Sequence, residues 1–228
     1  MRAFKRIFYL SLFAVAMAYV EAAVVVYLRE LYYPANILDI FPAKVFTMFD
    51  YYIELGRELA TLVMLFAAGM LSTKNLKQGL MGFLYAWGVW DIFYYVWLYV
   101  TIGWPRSLFE WDILFLIPLP WFGPVITPVL IALLFVIVPG IILMKDSEPT
   151  FSPKAVATIL IGGLFDLYAF LEISINTLRI EGKEGFIGLV PQKFNWPVYL
   201  IGLMLMAYGF YALLEKKKRK KKRAKQSS

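Results

Sequence analysis

Acidic side chains lie inside sequence segments that are otherwise apolar and long enough to cross a membrane. The six acidic residues are Glu21, Glu54, Glu58, Asp91, Asp166 and Glu172. An ionised carboxylate at the centre of a bilayer costs at least about 2.5 to 3.5 kcal/mol, so such groups usually face a bundle interior, pair with a base or carry function. Arg57 is the only basic residue that we place inside these segments. Oxygen ligands of this kind suit protons, sodium, calcium or magnesium.

The deepest carboxylates are predicted to share one level. A rise of about 1.5 Å per residue places four of them roughly 16 to 21 Å from the inner ends of their helices: Asp166, Asp91, Glu58 and Glu21. Glu54 and Glu172 lie further out and are secondary candidates. Carboxylates so close together need protons, a cation or Arg57 for compensation. We therefore predict one outward-opening cavity whose ion or solute ligands are Glu21, Arg57, Glu58, Asp91 and Asp166. A buried network that only fixes helix register is the structural alternative.

The composition indicates which elements position these side chains. The chain of 228 residues is 61% apolar and 17% charged, against about 45 to 50% and 25% in soluble domains. Six apolar runs reach the roughly 20 residues that a spanning helix needs: Ile7–Leu28, Tyr51–Leu71, Gly79–Ile102, Val125–Met144, Ala155–Ile175 and Pro197–Leu214. The first run is too long for a signal peptide and lacks a cleavage site, so we expect a retained helix. The sequence predicts an all-α membrane protein, a bundle of six transmembrane helices.

Basic residues indicate the orientation of this bundle. Lys and Arg are denser in the connections that share a side with both termini, which predicts cytoplasmic N- and C-termini in the cell membrane. Residues 1–214 would form the transmembrane domain and residues 215–228 a disordered polybasic tail. The tail accounts for the net charge of +7. It is expected to bind anionic inner-leaflet lipids. Nucleic-acid binding is not expected, because no aromatic residues lie beside the tail on which bases could stack. The headgroup-binding residues would be Lys216, Lys217, Lys218, Arg219, Lys220, Lys221, Lys222 and Arg223.

Two outer connections are too apolar for ordinary loops. Asn36 to Asp50 has the composition of an amphipathic helix lying in the membrane interface. Ser107 to Ile117 is predicted to be interfacial, re-entrant or the start of the fourth helix. Prolines then predict a broken, non-helical entry to the fourth helix, whose free carbonyls would add neutral oxygen ligands to the cavity; they are Pro118, Pro120, Pro124 and Pro128. Close helix approach is expected at the glycines Gly162, Gly163, Gly202 and Gly209.

Missing residue types exclude several chemistries. The chain has no Cys and no His, which excludes His or Cys haem ligation, iron–sulfur clusters, thiolate or imidazole zinc sites and Ser-His or Cys-His nucleophiles. No nucleotide-binding glycine pattern, metalloprotease motif or serine elbow occurs. We therefore expect neither a metal centre nor a cofactor.

Three short motifs follow one another within about thirty residues: Trp90-Asp91, Trp104-Pro105 and Leu119-Pro120. This order resembles the small membrane carotenoid cyclases, in which a Leu-Pro segment ends in paired glutamates. Trp121-Phe122 stand here where those glutamates are expected. The resemblance implies an isoprenoid or lipid enzyme, but without the pair that performs the acid chemistry.

Three functions remain open at this point. The first is a transporter or permease that binds a proton, a cation or a small polar solute in the carboxylate cavity. The second is a membrane-embedded lipid or isoprenoid enzyme using carboxylate acid–base chemistry. The third is a non-catalytic subunit that binds a membrane protein partner. The shared depth of the carboxylates favours transport over catalysis.

Overall fold

The residues that the structure describes form six α-helices, one short 3₁₀ helix and one small sheet. The computed structural model describes residues 2–44, 47–73 and 75–214. The helices are α1 (Arg2–Tyr32), α2 (Met48–Leu71), α3 (Leu76–Ile102), α4 (Ile126–Met144), α5 (Pro153–Ile180) and α6 (Trp196–Leu214). Strands β1 (Trp111–Phe115) and β2 (Trp121–Pro124) form an antiparallel hairpin between α3 and α4, and a 3₁₀ helix (Gly182–Phe186) follows α5.

Four helices of the described chain, α1, α4, α5 and α6, are long and apolar enough to cross a membrane. Helices α2 and α3 are also long, at 24 and 27 residues, but more polar. The mean hydropathy of α2 is lowered by its charged residues Glu54, Arg57 and Glu58. That of α3 is lowered by Asp91 and by many Tyr and Trp residues. The fold is therefore compatible with a membrane protein. Three statements remain predictions: that α2 and α3 cross the membrane, that both termini are cytoplasmic, and that the transmembrane domain ends at residue 214.

Local sequence signals set the helix ends. Thr47, Asn75 and Ser152 each accept a hydrogen bond from the backbone N–H three residues later, at the starts of α2, α3 and α5. These side chains satisfy donors that a helix leaves unpaired in its first turn. At the other end of α3, Gly103 has a φ of 72°. Glycine adopts this left-handed conformation without steric cost, so the chain turns there toward the hairpin.

Helix α3 is the centre of the packing, since α1, α2 and α4 all pack against it. Helices α5 and α6 form a pair, and α6 joins that pair to α4. Where α5 and α6 cross, a Cβ on Gly162 would lie 2.6 Å from the Gly202 carbonyl oxygen, and one on Gly209 would lie 2.6 Å from Ile159 Cγ1. The predicted close approach is thus present at Gly162, Gly202 and Gly209. Gly163 instead faces open space.

Contacts between connections show how the helix ends are arranged. At one end, Arg6 near the start of α1 pairs with Asp146 after α4 at 2.6 Å, and Thr150 N–H donates to Leu213 O in α6 at 3.1 Å. At the opposite end, Arg106 pairs with Asp39 at 2.7 Å and with Glu110 at 2.6 Å. Its hydrogen bonds to Glu110 and Asp39 raise the pKa of Arg106. Both described chain ends therefore lie at the same end of the bundle.

Most of the described part of the segment predicted as an amphipathic interfacial helix, Asn36 to Asp50, is not helical. Residues 33–44 form turns and irregular backbone, and α2 begins only at Met48. Ile40 and Ala43 are buried in the protein, and Ala43 exchanges two backbone hydrogen bonds with Gly188 and Leu189. The prediction was wrong because tertiary packing, and not a membrane surface, covers these apolar side chains. Residues 45 and 46 lie outside the described part.

The second apolar connection and three of the four prolines, Pro118, Pro120 and Pro124, form the hairpin, whereas Pro128 lies in the first turn of α4. Its first strand lies within the stretch Ser107 to Ile117, and its second strand ends at Pro124. The proline-rich entry is therefore not helical, and α4 begins at Ile126. Proline lacks a backbone donor, which is tolerated in a turn and at an edge strand. The hairpin is the feature that the sequence did not indicate.

The glycine crossing of α5 and α6 generates a stability prediction. Gly162→Ala is expected to lower the free energy of unfolding by about 1 to 3 kcal/mol, because the new methyl group overpacks the crossing. The matched control is Gly163→Ala on the next residue, where a Cβ meets nothing within 4 Å. Thermal unfolding of the detergent-solubilised protein measures both. Equal midpoints for the two variants would contradict the crossing geometry.

Candidate functional site

One cavity of about 550 Å³ lies among the helices, beside the hairpin. Its volume falls within the roughly 300 to 1,000 Å³ that is usual for small-molecule sites. Most of its lining is apolar or aromatic, with side chains from every helix and from the hairpin. The charged residues that line it are Glu21 from α1, Arg57 and Glu58 from α2, Asp91 from α3 and Asp166 from α5. The structure thus brings together the five residues that the sequence predicted as ligands.

Arg57 occupies one side of this cavity as the centre of an ion-pair network. It pairs with Glu21 on α1, and its Nε and Nη2 atoms each lie 2.8 Å from Glu54 Oε2 on α2. Thr61 donates a second hydrogen bond to Glu21 at 3.1 Å. Both glutamates are buried. A buried carboxylate is tolerable when its charge is paired and its oxygens are hydrogen-bonded, so this part of the site is internally compensated.

Glu58 has a different partner, the tip of the hairpin. Both of its carboxylate oxygens lie 3.0 Å from the backbone N–H of Leu116. Tyr51, two turns earlier on α2, donates to the Leu116 carbonyl at 3.4 Å. A charged acceptor makes such a hydrogen bond stronger than a neutral one. Glu58 therefore fixes the hairpin tip to α2 and also lines the cavity.

Among the described acidic residues that line the cavity, Asp91 and Asp166 have no hydrogen bond or ion pair. Asp166 is 2% exposed, and neither of its carboxyl oxygens has a hydrogen-bond partner among the described residues. Its carboxyl group lies against Gly202, whose missing side chain leaves the room for it. Asp91 is half-buried, and the described residues give it no hydrogen bond or ion pair. Unpaired buried carboxyl groups are costly, so a proton or a ligand must supply what the protein does not.

The two secondary candidates do not line the cavity. Glu54 belongs to the Arg57 network. Glu172 accepts a hydrogen bond from Asn195 Nδ2 at 2.8 Å and so connects α5 to the start of α6. The predicted lipid-binding residues 216–223 lie outside the described part of the chain.

Sequence reasoning missed a second buried charge pair. Arg29 and Asp112 are both buried, and their side chains approach to 3.9 Å. The guanidinium of Arg29 lies 3.8 Å from the centre of the Trp104 ring, a cation–π geometry, and Tyr95 donates to Asp112 at 3.1 Å. The first predicted helix ends just before Arg29, and Asp112 lies in the second outer connection. Neither residue was a candidate, because the hairpin that buries Asp112 was not predicted. The Trp-Asp-Ile triplet at 111–113, which repeats residues 90–92, was the available signal.

The proline-segment carbonyls expected as cation ligands already have donors. Ser174 donates to Pro120 O, Trp121 Nε1 to Ile117 O at 2.8 Å, and Thr127 to Pro124 O at 2.7 Å. In the described residues, moreover, no three acidic side chains lie close enough together to hold a metal ion. The carboxylates are spread around the cavity wall. This spacing suits separate protonation or one larger positively charged guest better than a chelated metal ion.

Exposure and packing point to an opening of the cavity between α2 and α5. Helix α2 packs on α3 and touches α1, whereas α5 packs on α6. Helices α2 and α5 have little or no contact with each other. Leu59 of α2 is 57% exposed yet lines the cavity. On the facing side, Gly163 of α5 also lines it, with nothing within 4 Å of its Cβ position. The sequence predicted an opening toward the outer side, where the hairpin residues Ile113 and Phe115 form part of the wall.

Comparisons of the chain with protein-family models, with curated proteins and with solved structures give no match. The class that the fold defines is a helical protein with four helices apolar enough to span a membrane. What this protein does must therefore be argued from the cavity itself.

The Arg57 network generates a second stability prediction. Arg57→Met leaves Glu21 and Glu54 without their cation, and breaking a buried ion pair in this way costs about 3 to 5 kcal/mol. Adding Glu21→Gln to this variant is expected to recover part of the loss, because one unpaired charge is then removed. Thermal unfolding in detergent measures both changes.

The control for this prediction is Arg106→Met. Arg106 also has two acidic partners, but its side chain is 55% exposed, and exposed pairs contribute only about 0 to 1 kcal/mol each. A loss of stability in Arg57→Met no larger than in Arg106→Met would show that the buried network does not hold the helices together.

Proposed function

We propose that the protein is a multi-pass membrane transporter or permease, with α2 and α3 completing a six-span bundle and both termini cytoplasmic. Its cavity binds a proton, a monovalent cation or a small positively charged solute. The observation that carries the proposal is the convergence of charged side chains from four helices on one cavity within an apolar bundle. Charged groups at such a depth usually line substrate or ion pathways.

The charges around the cavity support a positive guest. Glu21 is paired with Arg57, whereas Glu58 has only a backbone donor, and Asp91 and Asp166 have no partner among the described residues. Three carboxyl groups around one low-dielectric space cannot all be ionised without compensation. Protons supply the compensation when the site is empty, and a cationic guest replaces them when it is occupied. A site that holds either a proton or a cation can carry either one across the membrane, so proton uptake driven by a membrane potential is one expected activity.

The gap between α2 and α5 favours one second candidate, an enzyme acting on a lipid or isoprenoid that reaches the cavity from the bilayer. In that case Asp91 or Asp166 would be the general acid, since a buried carboxyl group retains its proton for transfer. Conversion of lipids by the purified protein, followed by mass spectrometry, separates the candidates. A transporter releases its guest unchanged.

Carbodiimide chemistry tests whether the cavity holds protonated carboxyl groups. The apolar reagent dicyclohexylcarbodiimide is expected to form an adduct at Asp91 or Asp166, and the reaction should slow as pH rises because it requires the protonated acid. The Asp91→Asn/Asp166→Asn double variant should lose this adduct, as detected by peptide mass spectrometry. A water-soluble carbodiimide is the control, and it should modify exposed Glu148 but not the cavity. Equal apolar labelling of the double variant would contradict the proposal.

Transport itself is measured in proteoliposomes that contain a pH-sensitive dye. A potassium diffusion potential, negative inside, is expected to drive proton uptake by the wild-type protein and not by the double variant. Pre-treatment with dicyclohexylcarbodiimide should abolish the uptake. Wild-type flux equal to that of protein-free liposomes would show that the protein carries no protons under these conditions and would favour the enzymatic candidate.

A further inference from the structure

The two residues that indicate an opening of the cavity, Leu59 and Gly163, lie about halfway along their helices and not at an end of the bundle. With a rise of about 1.5 Å per residue, Leu59 and Gly163 lie about 18 and 15 Å from the ends of α2 and α5 that carry Leu71 and Pro153. Those two ends belong to the same end of the bundle, where Asn75 donates to Glu148. The helix surfaces beside the gap are apolar and exposed, with Val63 on α2 and Leu164 on α5. In a bilayer this gap faces the hydrocarbon layer.

The hairpin tip closes the gap on its outer side. It is bonded to α2 through Leu116 and Glu58 at 3.0 Å, and to α5 through the hydrogen bond from Ser174 to Pro120 O. The Trp121 ring also stacks on Phe170 of α5, with 5.8 Å between the ring centres and 8° between the planes. The tip thus joins two helices that have little direct contact. Below it, no described side chain fills the space beside Gly163.

The wall of the cavity combines rings with unpaired acids. Eight aromatic residues line it, among them Trp87, Trp90, Tyr94, Trp121 and Phe170. Aromatic faces attract organic cations, and desolvation strengthens the attraction. Asp166 lines this wall, is 2% exposed and has no partner for either carboxyl oxygen among the described residues. The shape and the charge together describe a guest with an apolar body and one positive charge.

We propose that the ligand of the cavity is an amphiphilic organic cation that enters sideways from the hydrocarbon layer, between α2 and α5 below the hairpin tip. This inference rests on the proposed function and names its substrate class. The positive charge of the guest lies near Asp91 and Asp166, and its apolar body packs against the tryptophan rings. An inorganic ion would leave most of this apolar wall unused, and a neutral lipid would leave both acids without a partner.

Binding of tetraphenylphosphonium to the purified full-length protein tests the charge requirement. Equilibrium dialysis against detergent micelles is expected to show saturable binding above that of empty micelles, accompanied by a change in tryptophan fluorescence. Tetraphenylborate has the same shape and the opposite charge, and should show no saturable binding. Asp91→Asn and Asp166→Asn should each weaken phosphonium binding by at least about tenfold, because a buried charge loses its partner. Equal binding of the two probes, or unchanged affinity in both variants, would overturn the proposal.

The side entrance has its own matched pair of variants. Gly163→Trp places a ring in the gap and is expected to slow phosphonium association by at least about tenfold. Gly56→Trp is the control, because Gly56 also has nothing within 4 Å of its Cβ position but does not line the cavity. Unchanged association in Gly163→Trp, with both variants monodisperse by size exclusion, would overturn lateral entry.

The two levels of proposal fail separately. If carbodiimide labelling and proton flux depend on Asp91 and Asp166 but neither tetraphenyl probe binds, the substrate class is wrong and the proton pathway stands. If phosphonium binds at the acids but proton flux does not exceed that of protein-free liposomes, the cavity is a binding site and the transport function is wrong.

Discussion

The ion pairs of Arg57 with Glu21 and Glu54 are the interaction on which the arrangement of the bundle depends. Helices α1 and α2 both pack extensively on α3 but touch each other sparsely, so this network is their main polar connection. It also removes three charges from the apolar interior as one compensated group. Each member alone would impose a large desolvation cost. Once α1 and α2 are fixed in this way, Glu58 faces the cavity together with Arg57.

The hairpin depends on Glu58 for its position against the bundle. A two-stranded hairpin is marginally stable in isolation, and the prolines at residues 118, 120 and 124 remove donors from its turn and second strand. Its tip is held instead by side chains of the bundle: Glu58 and Tyr51 from α2 and Ser174 from α5. Its base is held by the buried Asp112 near Arg29. The hairpin thus takes its stability from the three helices α1, α2 and α5. It lies between α2 and α5 and forms part of the cavity wall.

Helix positions and residue depths were accessible from sequence because they depend on hydrophobic run length and on a constant rise per residue. That arithmetic placed Glu21, Glu58 and Asp166 at one level, and these residues do line one cavity. The ion pairs between different helices could not be predicted from the sequence, because the rotation of each helix about its axis decides which side chains meet. Arg57 lies three residues after Glu54, yet its partner on α1 is Glu21. The hairpin was missed for a related reason, since its strands of five and four residues are stabilised by distant side chains and carry no local pattern.

The contrast between the two groups of acids bears on why the cavity exists. Glu21 and Glu54 have cationic and hydrogen-bonding partners that account for their burial, so structure alone explains them. Asp166 has neither, and Gly202 gives up a side chain to make space for its carboxyl group. An Asn or an Ala at residue 166 would fill that space at a lower cost of desolvation. A carboxyl group differs from the amide there in that it can lose its proton and carry a negative charge. Asp91 of α3, which lines the same cavity and is also unpartnered among the described residues, fits the same reasoning, and the proposed binding of protons or of a positively charged guest depends on these two acids.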